Sequence, residues 1–175
     1  KKYDIINWST VSYSWPTSES QSFLEIKNYN KNTQIIQSEK KLKNILGMWE
    51  IYLEGPMIYN SFLSVNLIRN IKKKQNNSFF LHGIPDISSL FSILLNSKNY
   101  FKFNIPIGIS GASKYSNGAA IKNKKKKFVD IKNNLSLLGI DKCIVPAYYF
   151  GPAYTYDKFI EFYPCFIKHY PLNYY

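Results

Sequence analysis

Cysteine, histidine and acidic side chains are all scarce in this chain. Only two cysteines, Cys143 and Cys165, occur in 175 residues. They cannot build a disulfide framework, and on their own they are too few to hold a metal. The two histidines, His82 and His169, lie far apart, with no cysteine or carboxylate at metal-ligand or triad spacing. Each reads as an ordinary polar or packed side chain. Asp86 and Asp130 form no evident acid–base pair. No apolar run approaches the roughly 18–20 residues that cross a bilayer, so no transmembrane helix is expected. These absences leave nothing that argues for catalysis, a metal, a cofactor or a small-molecule substrate.

What the chain has in excess is positive charge. Against 11 Asp plus Glu stand 23 Lys plus Arg, a formal net charge of +12. An excess of this size points to an anionic partner, nucleic acid first and an acidic membrane surface second. Abundant Lys, Asn, Ile and Tyr are also what translation of an AT-rich genome yields, and that enriches lysine without selection for charge. Hydrophobic residues make up 45% of the chain, which excludes a disordered tail. Its length accommodates one domain over residues 1–175. The chain opens on Lys1 rather than methionine, so a targeting peptide upstream would not be seen.

Taken in order, residues 3–8 (YDIINW) read as a first strand and residues 22–27 (SFLEIK) as a second. Ile35, Leu42, Ile45 and Leu46 fall on one helical face, capped at Asn32 or Thr33 and stopped by Gly47. Residues 48–53 (MWEIYL) read as a third strand, followed by a turn at Gly55 and Pro56. A helix is expected over residues 57–71, with Arg69, Lys72, Lys73 and Lys74 at its C-terminal end. Cations there complement the helix dipole and serve equally as phosphate contacts.

The stretch from Gly83 to Gly108 holds two apolar runs, residues 87–95 and 105–109. They read as two buried parallel strands with a short crossover. Gly108-Ile-Ser-Gly111-Ala-Ser follows a strand, where a nucleotide-binding turn would sit, but completes neither Gly-x-Gly-x-x-Gly nor a P-loop. Residues 111–134 lack any period and read as a basic loop insertion carrying Lys124, Lys125, Lys126 and Lys127. A last short strand is expected at residues 143–145. Residues 154–169 form a mixed aromatic segment, and residues 170–175 an extended tail.

Leu46-Gly-Met-Trp49 matches the Gly-x-Trp signature of lipocalins, but that barrel needs about eight strands, more than the remaining chain provides. A second set of motifs is carried by Ile5-Ile6-Asn7-Trp8, the 52–60 segment (YLEGPMIYN), Ile84-Pro85-Asp86, Asn104-Ile105-Pro106 and the Cys143-Ile-Val-Pro146 segment. In order and spacing these resemble the universal small-subunit ribosomal protein two (S-two) family. The chain departs from that family in lacking its N-terminal His-x-Gly-His region. Ser110-Gly111-Ala112 replaces an Asp-Thr-Asn, and the helical hairpin is shortened to residues 61–80.

The resemblance implies an α/β fold, a mostly parallel, Rossmann- or flavodoxin-like sheet flanked by helices. It further implies a structural, non-enzymatic constituent of the small subunit of an organellar ribosome. The mitochondrial matrix is the expected compartment, and ribosomal RNA and neighbouring ribosomal proteins are the expected partners. Arg69, Lys72, Lys73, Lys74 and Lys124, Lys125, Lys126, Lys127 are the candidate RNA contacts. The competing readings are a structural subunit of another organellar complex and a nucleotide-binding α/β enzyme.

Overall fold

A computed structural model describes residues 3–16, 21–25, 32–47, 49–81, 84–112, 155, 159 and 161–163. Strands β1 (Ile5–Ser14), β2 (Phe23–Glu25) and β3 (Thr33–Gln37) come first, followed by helix α1 (Ser38–Leu46). A 3₁₀ turn (Tyr52–Glu54) leads to β4 (Ser61–Leu63), α2 (Val65–Lys74), α3 (Pro85–Leu95) and β5 (Asn99–Ala112). The long strands β1 and β5 are the backbone of the fold and run parallel, with the register slipping at Ser9 and Thr10. Every other pairing among the described residues is antiparallel: β3 on β5, and β2 and β4 on opposite ends of β1. The mixed sheet curls into a half-barrel.

This architecture overturns the expected parallel, Rossmann- or flavodoxin-like sheet. The largest difference is the 87–95 run, which is helix α3 and not a buried strand. Ile87, Leu90, Phe91, Ile93 and Leu94 are buried together with Ser88, Ser89 and Ser92. A helix enclosed on nearly all sides loses the one-sided stripe that identifies it, and its sequence then looks like a buried strand. Its length of 11 residues and Pro85 in the first turn are the signals that favour helix. The buried serines are satisfied: Ser88 Oγ accepts from Leu81 N at 3.0 Å, Ser89 Oγ donates to Asp86 O at 2.8 Å, and Ser92 Oγ accepts from Gln75 Nε2 at 2.9 Å.

Other expectations also shift. Ile35 belongs to β3 and not to the helix, which begins only at Ser38. Thr33–Gln37 is a β-branched run paired to β5, and that pairing outcompetes helix extension. Of the expected third strand, residues 49–53 form bends and the start of the 3₁₀ turn. The expected 57–71 helix divides into a turn, β4 and α2, because Ser64 caps α2 by accepting from Leu67 N at 3.1 Å. No helical hairpin occupies residues 61–80; a strand and one helix do. Gly108 and Gly111 lie within β5, where no nucleotide-binding turn can form. The expected strands at residues 3–8, 22–27 and 105–109 are borne out in kind, with β1 and β5 longer than expected, but 105–109 is not the buried strand expected, because Ile105, Ile107 and Ile109 are exposed. Residues 113–134 of the insertion, the strand at 143–145 and the 170–175 tail lie outside the described residues.

The core forms on one face of the sheet, under the helices. Leu63 faces Ile5, and Ile36 faces Tyr100, and all four join the cluster of Leu42, Ile45, Leu67, Ile71 and the α3 side chains. Gly55 touches this core so closely that a Cβ there would lie 2.3 Å from Leu90 Cδ1. Phe159 packs against Phe91 at a centroid distance of 5.4 Å.

Candidate nucleic-acid interface

Helix α2 is amphipathic: Leu67 and Ile71 enter the core, and Asn66, Arg69, Asn70 and Lys73 lie on the exposed side. Lys72, Lys73 and Lys74 form its last turn, and no carboxylate occurs anywhere in the helix. All four cations are exposed and make no ion pair with any described residue. Arg69 and Lys73 stand one turn apart, a like-charge spacing that costs a few tenths of a kcal/mol. The helix dipole offsets part of that repulsion at the C-terminus, and a bound anion would relieve the remainder.

The end of α2 is pinned from below. Gln75 is fully buried and its Nε2 donates to Ser92 Oγ at 2.9 Å and to Tyr163 Oη at 3.0 Å. Asn76 and Asn77 then turn the chain away with φ of 49° and 65°, a left-handed geometry that asparagine tolerates. The apolar side and the buried glutamine therefore hold the helix, and the cations project from it. Of the eight contacts expected from sequence, the structure brings Arg69, Lys72, Lys73 and Lys74 together on this one helix end. Lys124, Lys125, Lys126 and Lys127 lie outside the described residues.

A second charged region, without a signal in the sequence, is a groove of about 560 Å³ between β3, α1, β5 and the 3₁₀ turn. Lys41, 6% exposed, is ion-paired to Glu50, which also accepts from Asn44 Nδ2 at 2.5 Å. Burial works against the Glu50 carboxylate, but these two hydrogen bonds and the charges of Lys41 and Lys102 hold its pKa below the usual value. Burial drives the Tyr100 phenol upward, assisted by Glu50 and Glu54. Lys41 and Lys102 act on the carboxylates of this groove, which Lys40 also lines, and the Lys41–Glu50 pair makes it an internal charge clamp.

Lys102 is the uncomfortable member of this clamp. Burial lowers its pKa, Lys41 adds to the effect, and Glu54 and Glu50 oppose it without cancelling it. Holding the ammonium in this partly buried place thus costs the fold stability, in full below the lowered pKa and less as pH rises past it. Lys102→Met is expected to raise Tm by about 2 °C or more at pH 7. A lower Tm in a thermal melt would show that Glu50 and Glu54 repay the burial in full.

The opposite face of the sheet carries no helix among the described residues, and its rows can be followed across the strands. Phe62 of β4 faces Ile6 of β1, which lies beside Phe101 of β5, which in turn faces Ile35 of β3. In the next row Trp8 lies beside Phe103. The rings touch: Trp8 and Phe62 at 4.8 Å, Phe101 and Phe103 at 4.9 Å, and Tyr3 and Phe101 at 5.1 Å between centroids. The alternation Ile6, Trp8 and Phe101, Phe103 is the sequence signal for this face.

Compared with protein-family models, curated proteins and solved structures, the chain matches none. Those comparisons therefore do not identify it as a member of the S-two family. Two of the segments that carried the likeness fold otherwise than expected, Ile84-Pro85-Asp86 opening a helix and Asn104-Ile105-Pro106 sitting in the middle of β5, whereas Ile5-Ile6-Asn7-Trp8 is in a strand as expected and Cys143-Ile-Val-Pro146 lies outside the described residues.

Proposed function

We propose that this chain is a non-catalytic, RNA-binding structural subunit of a ribonucleoprotein particle. The small subunit of an organellar ribosome, in the mitochondrial matrix, is the particle that its composition favours. The observation that carries the reading is the exposed cation end of α2, where Arg69, Lys72, Lys73 and Lys74 have no carboxylate partner among the described residues. A chain of net charge +12 presenting such a cluster neutralises backbone phosphates, which gives affinity with little sequence preference. Ribosomal RNA and neighbouring proteins are then the partners, and the rigid sheet and core hold the cations in place.

Sedimentation tests the particle. The tagged protein is expected to migrate with small ribosomal subunits from mitochondria in a magnesium-containing gradient, and to leave them in high salt. Migration with a different complex, or near the top of the gradient, would refute the ribosomal assignment.

A further inference from the structure

We propose that the groove between β3, α1, β5 and the 3₁₀ turn binds a small organic monoanion, a carboxylate, held by Tyr100 and Lys102. The site is separate from the α2 surface and does not depend on the RNA-binding reading. Tyr100 and Lys102 stand two residues apart on β5 and so share one face of that strand. Their cross-strand partners on β3 are Ile36 and Gln34, and all four line the groove.

Both β5 side chains end in a polar group that the fold leaves unmatched. Tyr100 is 1% exposed, yet its hydroxyl makes no hydrogen bond with any described residue. Burial keeps that phenol protonated, so it is available as a donor. The Lys102 ammonium is partly buried and makes neither a hydrogen bond nor an ion pair with any described residue. Glu50 is already engaged by Lys41 and Asn44, and Glu54 acts on Lys102 only through space. A desolvated donor without an acceptor costs stability, and a ligand that brings the acceptor recovers it.

Charge and size select the occupant. Lys40, Lys41 and Lys102 stand against Glu50 and Glu54, which leaves one positive charge in excess. One negative charge balances the groove, whereas further negative charges meet the two carboxylates, so a polyanion such as an RNA backbone is disfavoured. A carboxylate offers two oxygens to the two donors, and its bond to the ammonium is charge-assisted. The volume of about 560 Å³ is that of a small-molecule site.

Ligand-observed saturation-transfer NMR on the full chain tests this, with benzoate as the probe and benzamide as its neutral isostere. Benzoate is expected to bind at least roughly ten-fold more tightly than benzamide. Its affinity should fall roughly ten-fold in Lys102→Met and roughly three-fold in Tyr100→Phe. Neither substitution removes a hydrogen bond within the described residues, so circular dichroism should show both variants folded. Benzoate should also raise the Tm of the parent chain and leave that of Lys102→Met unchanged.

Equal binding of benzoate and benzamide, or undiminished benzoate affinity in folded Lys102→Met, would overturn the site. Absence of benzoate binding to the parent chain would do the same. Displacement of bound benzoate by an RNA oligonucleotide would give the groove to an RNA phosphate and overturn the carboxylate reading. The α2 surface is judged separately, by the salt dependence of RNA binding.

Discussion

Phe91→Ala is expected to lower the unfolding free energy by about 3–5 kcal/mol. Phe91 is fully buried at the centre of α3, within the core cluster. Its ring is inclined 58° to that of Phe159, so truncation removes both transfer free energy and an aromatic contact. Because α3 is enclosed by the sheet, α1 and α2, the surroundings have little freedom to collapse into the void. A domain whose whole stability is about 5–15 kcal/mol is then near its limit. Urea denaturation should show a lower midpoint at unchanged m-value. A loss under about 1 kcal/mol would mean that α3 does not occupy the centre of the core.

Joint replacement of Arg69, Lys72, Lys73 and Lys74 by glutamine should weaken RNA binding on the order of a hundred-fold at about 0.1 M salt. Each phosphate contact to a single strand contributes about 0.7 to the slope of log affinity against log salt. Losing four contacts flattens that slope accordingly, and the affinity gap closes as salt rises. The fold should be preserved, because Leu67, Ile71 and Gln75 anchor the helix from its other side. Titrations of RNA at several salt concentrations measure both quantities. An unchanged slope would place these side chains in free solvent and leave them only their favourable position at the helix C-terminus.

Some features could be read directly from residues. The charge excess and the run Arg69, Lys72, Lys73, Lys74 are composition, and the helix beneath them is legible because Leu67 and Ile71 recur at helical spacing on a half-exposed element. Strands β1 and β5 were legible in part through their β-branched and aromatic runs, and the chain from Leu42 to Leu46 through its apolar face.

Tertiary structure decided the rest. Burial on nearly all sides erased the period of α3, and pairing with β5 drew Thr33–Gln37 out of helix α1. Strand direction has no local signature at all. Whether β5 runs parallel to β1 depends on where 84 intervening residues, counted from Ser14 to Asn99, route the chain, and only the paired register records it. The aromatic face of the sheet has the same origin. Tyr3, Trp8, Phe62, Phe101 and Phe103 come from three distant segments, and each alone reads as a core residue by hydrophobicity. They become a surface only because the described helices pack on the other face of the sheet.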